Sequence, residues 1–103
     1  MKKLERELLQ TILKKYGAEE QLIQTMGECG ELIAVIQNYR RAVKFGHREE
    51  TFNEVLEEAV DVYMMVQQIR EMQPLLFDEL FDKKKKKILQ KLRVEVNEKP
   101  FTI

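Results

Sequence analysis

Between Val55 and Ile69 ten of fifteen residues are apolar, and together they wrap well beyond a single stripe of a helix. A helix that is apolar on most sides has to be buried on most sides. The chain has 103 residues, enough for one domain with one core and no more. The few other helices that fit in such a length can hardly surround this one. The pattern therefore predicts a second subunit, most simply across a two-fold helical interface.

The rest of the chain reads the same way. Four Gly and two Pro punctuate long stretches in which apolar residues recur every three or four positions, so the fold class is all-α. A first helix is expected from Lys3 to Lys15, with Leu4, Leu8, Leu9, Ile12 and Leu13 on one stripe, stopping where Gly17 can take the left-handed conformation. A second should begin near Ala18-Glu19-Glu20 and run through Leu22, Met26, Cys29, Leu32, Ile33, Ile36, Tyr39 and Val43, ending by Gly46. Thr51-Phe52-Asn53-Glu54 has the form of a capping box and predicts the start of a third helix, which Pro74 terminates. A fourth is expected from Phe77 to Val94, before a tail closed by Pro100. The expected architecture is a single domain over residues 1–103, a four-helix bundle completed by oligomerisation.

Charge and cysteine content narrow the function classes. No apolar run is long enough to cross a bilayer, and the amino end lacks the apolar core of a signal peptide, so a cytoplasmic protein without a membrane partner is expected. One cysteine, Cys29, and one histidine, His47, cannot build a disulfide or a Cys/His zinc cage. Residues 1–82 carry 10 basic and 16 acidic side chains, whereas residues 83–103 carry 8 and 2. An acidic body with a basic flank, and a lysine run Lys83 to Lys87 without interleaved aromatics, weigh against a nucleic-acid surface.

Four residues resist the hydrophobic pattern. Glu28 and Glu31 lie three apart, on one face of the second helix, and Glu58 and Asp61 repeat the spacing on the third. Carboxylates on otherwise apolar helices are costly unless something cationic compensates them. Four of them converging from two antiparallel helices form an all-oxygen site of the kind that takes Mg²⁺ or Mn²⁺. A Glu-x-x-His pair for di-iron chemistry is missing. Gly27 and Gly30 are consistent with close approach of another helix or a ligand. For the acids to meet, residues 42–50 should be largely loop, or the two helices should cross steeply, because an unbroken second helix leaves Glu31 and Asp61 about 7–8 Å out of level.

Tyr16-Gly17 followed by Gln21, Glu28-x-x-Glu31-Leu32, Asn38-Tyr39-Arg40-Arg41 and Glu57-Glu58-x-x-Asp61-Val62 resembles the MazG-type all-α nucleoside triphosphate pyrophosphohydrolases over residues 8–93. The resemblance implies Glu28, Glu31, Glu58 and Asp61 as Mg²⁺ ligands, with Lys87 and Lys91 as a basic pair facing the phosphates. Gly27 stands where that family usually has the first of two adjacent acids. The activity implied is Mg²⁺-dependent hydrolysis of (deoxy)nucleoside triphosphates between the α- and β-phosphates, with Glu31 contacting the attacking water, in a homo-oligomer, dimer or tetramer. Arg40 and Arg41 compete with the lysines as phosphate ligands, and Tyr39 and Tyr63 are candidates for stacking a base. Two other classes stay open: a dimeric helical bundle acting through protein contacts, and a nucleotide and metal binder without turnover.

Overall fold

A computed structural model describes residues 3–46 and 48–92, with side chains described within 5–46 and 51–92. Among these residues every element is helical: α1 (Lys3–Tyr16), α2 (Ala18–Val43), α3 (Arg48–Met72) and α4 (Pro74–Leu92). The chain divides after Met72 into two compact units, with α1 to α3 in the first and α4 in the second. None of these helices is long and apolar enough to cross a membrane.

Gly17 separates α1 from α2 alone. Its φ of 88° and ψ of 151° suit only glycine. Its N–H donates to the Leu13 carbonyl (2.9 Å) and closes α1, while its own carbonyl accepts from the Gln21 N–H (3.2 Å) and opens α2.

The α2–α3 connection is tighter than the sequence predicts. Helix α2 continues to Val43 and α3 already begins at Arg48, so residues 42–50 are not largely loop. The N–H groups of Lys44, Phe45 and Gly46 donate to the carbonyls of Arg41, Ala42 and Val43, and Gly46 reverses the chain at φ 81°. Because α3 starts three residues ahead of Thr51, that threonine lies in the first turn instead of capping it. Arg and Glu at 48–50 are strong helix formers and extend the element backwards. The early start also removes the expected mismatch of level. Asp61 lies thirteen residues past Arg48 and Glu31 twelve before Val43, a difference of about 1.5 Å along the axes.

The two long helices meet along Gln21, Thr25, Glu28, Leu32, Val35 and Tyr39 of α2, at alternating spacings of four and three, all partly buried. At the turn end the contact is apolar, with the Tyr39 and Phe52 rings 5.3 Å apart and tilted 56°. At the open end it is polar. Gln21 Nε2 donates to Gln68 Oε1 at 2.8 Å, and the Gln68 amide donates to Met65 Sδ at 3.6 Å. Gln68 is buried, as are Met65 and Leu9. Helix α1 packs on both partners there and is pinned by Glu71, whose carboxylate accepts from Arg6 Nε (3.2 Å) and Gln10 Nε2 (3.3 Å).

One residue after four of the six contact positions of α2 stands a large apolar side chain left exposed: Leu22, Met26, Ile33 and Ile36. The same step on α3 gives Leu56 and Tyr63, with Val60 between them. Within the unit formed by α1 to α3, these side chains of α3 are thus left exposed among the described residues. Nor does any neighbour among the described residues come within 4 Å of a Cβ built on Gly27 or Gly30.

Helix α4 begins three residues before its expected start, with Pro74 in the first turn, where its missing N–H costs nothing, and the Phe77 N–H donating to the Gln73 carbonyl (2.9 Å). Lys83 and Lys85 pair with Glu79 (3.4 Å) and Asp82 (3.8 Å), all four side chains being exposed. The expected end at Val94, and the tail with Pro100, lie outside the described residues, as does His47.

Candidate metal centre

Glu28 points inward on α2 because it shares the contact line with Thr25 and Leu32, and Glu31 sits one residue before Leu32, at the edge of that line. Glu58 occupies the inward line of α3 between Val55 and Val62, and Asp61 precedes Val62 as Glu31 precedes Leu32. The antiparallel pairing brings one carboxylate oxygen from each of Glu28, Glu31 and Glu58 within 4.8 Å of one another. Asp61 is exposed and lies outside this set, yet its charge acts on Glu58.

The three acids are not balanced by any cation among the contacts described. Glu28 Oε2 and Glu58 Oε2 are buried and have no hydrogen-bond partner. The other oxygen of Glu28 receives only a long hydrogen bond from Gln24 Nε2, at 3.4 Å. Desolvation, followed by the negative charges of Glu31 and Asp61, raises the Glu58 carboxyl above the usual glutamate range, and a side-chain hydrogen bond with Glu31 acts in the same direction. Each orphaned oxygen gives up hydration without a hydrogen bond in return. A hard divalent cation would satisfy both and remove the repulsion.

Lys87 and Lys91 are exposed on α4, in the second compact unit. Arg40 and Arg41 lie nine and ten residues beyond Glu31, about 14–15 Å along the same helix. There they line an open concavity of about 280 Å³ with Gln37 and Lys44. Tyr39 is committed to Phe52, and Tyr63 stands among the exposed apolar residues one step after the contact line. The Gln21–Gln68 bridge and Gln24 were assigned no role from sequence. Gln24 was findable, being four residues before Glu28 on one helix face; the bridge depends on interhelical register, which no local pattern encodes.

No family model, no curated protein and no solved structure matches this chain.

Proposed function

We propose that the chain is a nucleoside triphosphate pyrophosphohydrolase, a hydrolase acting on acid anhydrides, that uses Mg²⁺, with Mn²⁺ as a substitute. The observation that carries this reading is the convergence of Glu28, Glu31 and Glu58 from two helices, with two buried oxygens lacking partners. These three, with Asp61 at the rim, would hold the cation, which when bound supplies charge neutralisation for the phosphate oxyanions and a more acidic water.

The remaining chemistry belongs to this chain's own side chains. Water attacks the α-phosphorus, the bond to the bridging oxygen breaks, and its electron pair leaves with pyrophosphate. The proton of the water needs an acceptor. Glu31 suits this role because it is exposed at the edge of the cluster while Glu28 and Glu58 are turned inward. Lys87 and Lys91 are the proposed ligands of the leaving pyrophosphate. The protein is proposed to work in the cytoplasm as a homo-oligomer, a dimer or tetramer.

Pyrophosphate release from a panel of NTPs and dNTPs with Mg²⁺ or Mn²⁺, run beside Glu58→Gln and Asp61→Asn, tests the reading. Metal-dependent release that both folded variants lose is the expected result. No release, from protein that also gains no thermal stability with metal, overturns it. The exposed apolar residues of α2 and α3 favour a second reading, a non-catalytic helical regulatory or accessory protein acting through protein contacts, and that outcome would leave it standing.

A further inference from the structure

The carboxyl end of α2 concentrates positive charge. From Leu32 to Arg48 the sequence holds no acidic residue, and Arg40, Arg41 and Lys44 fall within that stretch. With Gln37 they stand at i, i+3, i+4 and i+7, which places all four on one stripe of the helix. Gln37 and Arg41 come two residues after the contact positions Val35 and Tyr39, about 200° round the axis, so the stripe faces away from α3. There the four side chains line the open concavity of about 280 Å³, which is built from α2 alone.

None of the three cations has an ion pair among the described residues. The helix end does not require them. The carbonyls of Arg41, Ala42 and Val43 already accept from the N–H groups of Lys44, Phe45 and Gly46, and a single cation would answer the helix dipole. Arg40 and Lys44, like charges one turn apart, repel instead. The unit that holds α4 brings no surplus of acid, since residues 73–103 carry 8 basic and 5 acidic side chains. The stripe is also distinct from the carboxylate centre. Its members lie about 80–180° around α2 from Glu31, and the two arginines are about 14–15 Å further along it. An anion on the stripe and a cation among the acids would occupy different sides of one helix.

We infer that Gln37, Arg40, Arg41 and Lys44 form an anion site for a short phosphate chain, free or carried by a nucleotide, separate from the carboxylate centre. Two guanidinium forks side by side can each take a pair of phosphate oxygens, the Lys44 ammonium adds a compact charge, and the Gln37 amide donates a neutral hydrogen bond. These donors extend about 10 Å along the axis, more than a single phosphate needs. The concavity is smaller than the roughly 300–1,000 Å³ of sites that enclose a drug-sized ligand. It therefore holds the phosphates and leaves whatever they are attached to in solvent. The inference goes beyond the hydrolase reading and does not rest on it, because the stripe needs neither metal nor turnover.

Isothermal titration calorimetry of the full chain tests the site, with inorganic tripolyphosphate and ATP as probes. The buffer is metal-free, so that the acids repel anions, and holds about 0.15 M salt, which screens exposed charges beyond about 8 Å. Tripolyphosphate should bind, and Arg40→Gln/Arg41→Gln should weaken it roughly tenfold or more. Arg40→Lys/Arg41→Lys keeps the charge, loses the forks and should weaken it about two- to fivefold. Lys84→Gln/Lys86→Gln removes the same charge from α4 and should change the affinity less than about twofold. ATP bound at least as tightly as tripolyphosphate assigns the chain to a nucleotide, and weaker ATP assigns it to a free oligophosphate. No binding of either probe overturns the site. So does an affinity that the α4 variant lowers as much as Arg40→Gln/Arg41→Gln does, or that Arg40→Lys/Arg41→Lys retains in full. This reading and the hydrolase fail separately, because pyrophosphate release reads the acids with metal and the titration reads the stripe without it.

Discussion

The two sides of the α2–α3 hairpin are built from the same helical repeat, read one residue apart, and they handle cost in opposite ways. On one side Glu31 and Asp61 flank Glu28 and Glu58, and the price of crowding acids is visible as two orphaned oxygens and a raised Glu58 carboxyl. On the other, Leu22, Met26, Val60 and their neighbours leave apolar area in water. Neither side is satisfied among the described residues: the buried acid oxygens have no hydrogen-bond partner and the apolar side chains are exposed, costs that a small hard ion would relieve in one case and an apolar surface in the other. The comparison teaches that unfinished energetics of different kinds can share one pair of helices because a step of one residue moves a side chain to the opposite side.

The largest expected effect breaks the carboxylate side alone. Glu58→Gln or Glu31→Gln should lower metal-dependent pyrophosphate release at least about 10²-fold, the scale of a lost acid–base group, while the sedimentation behaviour stays unchanged. A variant that loses both together would show that the two sides are coupled and that the separation drawn here is wrong.

Adding metal should act next most strongly. At a hundredfold excess over its dissociation constant a bound cation adds about 2.7 kcal/mol of stability, read as a rise in the melting temperature that Ile33→Glu, on the apolar side, retains. In metal-free protein the sign reverses with pH. The Glu58 carboxyl is raised in the folded state relative to the unfolded chain, so the folded state binds its proton more tightly and is relatively favoured at low pH. That advantage is lost as pH rises from the ordinary glutamate range through the folded value. Relative to wild type without metal, Glu58→Gln should therefore gain stability on going from acidic to neutral pH. A constant difference between the two proteins across that range would count against a crowded acid at position 58.

How much of this was legible in the sequence follows from which contacts are local. Gly17 could be read as a break because its role is decided by its own φ, and Pro74 because its ring acts on the residue beside it. Glu28, Glu31 and Glu58 stood out because a carboxylate on an apolar helix is anomalous without knowledge of its partner. Thr51 misled because a capping pattern fixes a helix start only if the residues ahead of it are poor helix formers, and Arg48 to Glu50 are not. The Gln21–Gln68 bridge was invisible because it depends on the register of two helices 47 residues apart in sequence. The surplus of apolar residues between Val55 and Ile69 is matched by exposed Leu56, Val60 and Tyr63 among the described residues, but α2 also carries an exposed apolar line, and that emerged only when its contact line with α3 was known.

A smaller effect probes what holds α1 against this hairpin. The Glu71 side chain is 2% exposed, and its carboxylate depends on Arg6 and Gln10. Arg6→Ala leaves that charge with one neutral donor and should cost about 1–3 kcal/mol in denaturant unfolding, with the double variant Arg6→Ala/Glu71→Gln recovering part of the loss. No recovery would mean that Arg6 acts through the packing of its stem and not through its charge.

The smallest expected effect sharpens the comparison most, because it compares two chemically identical substitutions one turn apart. Gly27 and Gly30 both sit inside α2 with open space where a Cβ would be, and alanine at either should add about 1 kcal/mol of helix stability. Gly30 lies two residues from both Glu28 and Leu32 of the contact line and so points away from α3, whereas Gly27 precedes Glu28 and turns toward the carboxylate side. Both variants should therefore melt higher, and by similar amounts, in metal-free protein. A gain at Gly30→Ala alone would mean that the carboxylate side needs the space beside Gly27, and a loss at Gly30→Ala would mean that something packs against the outer side of α2.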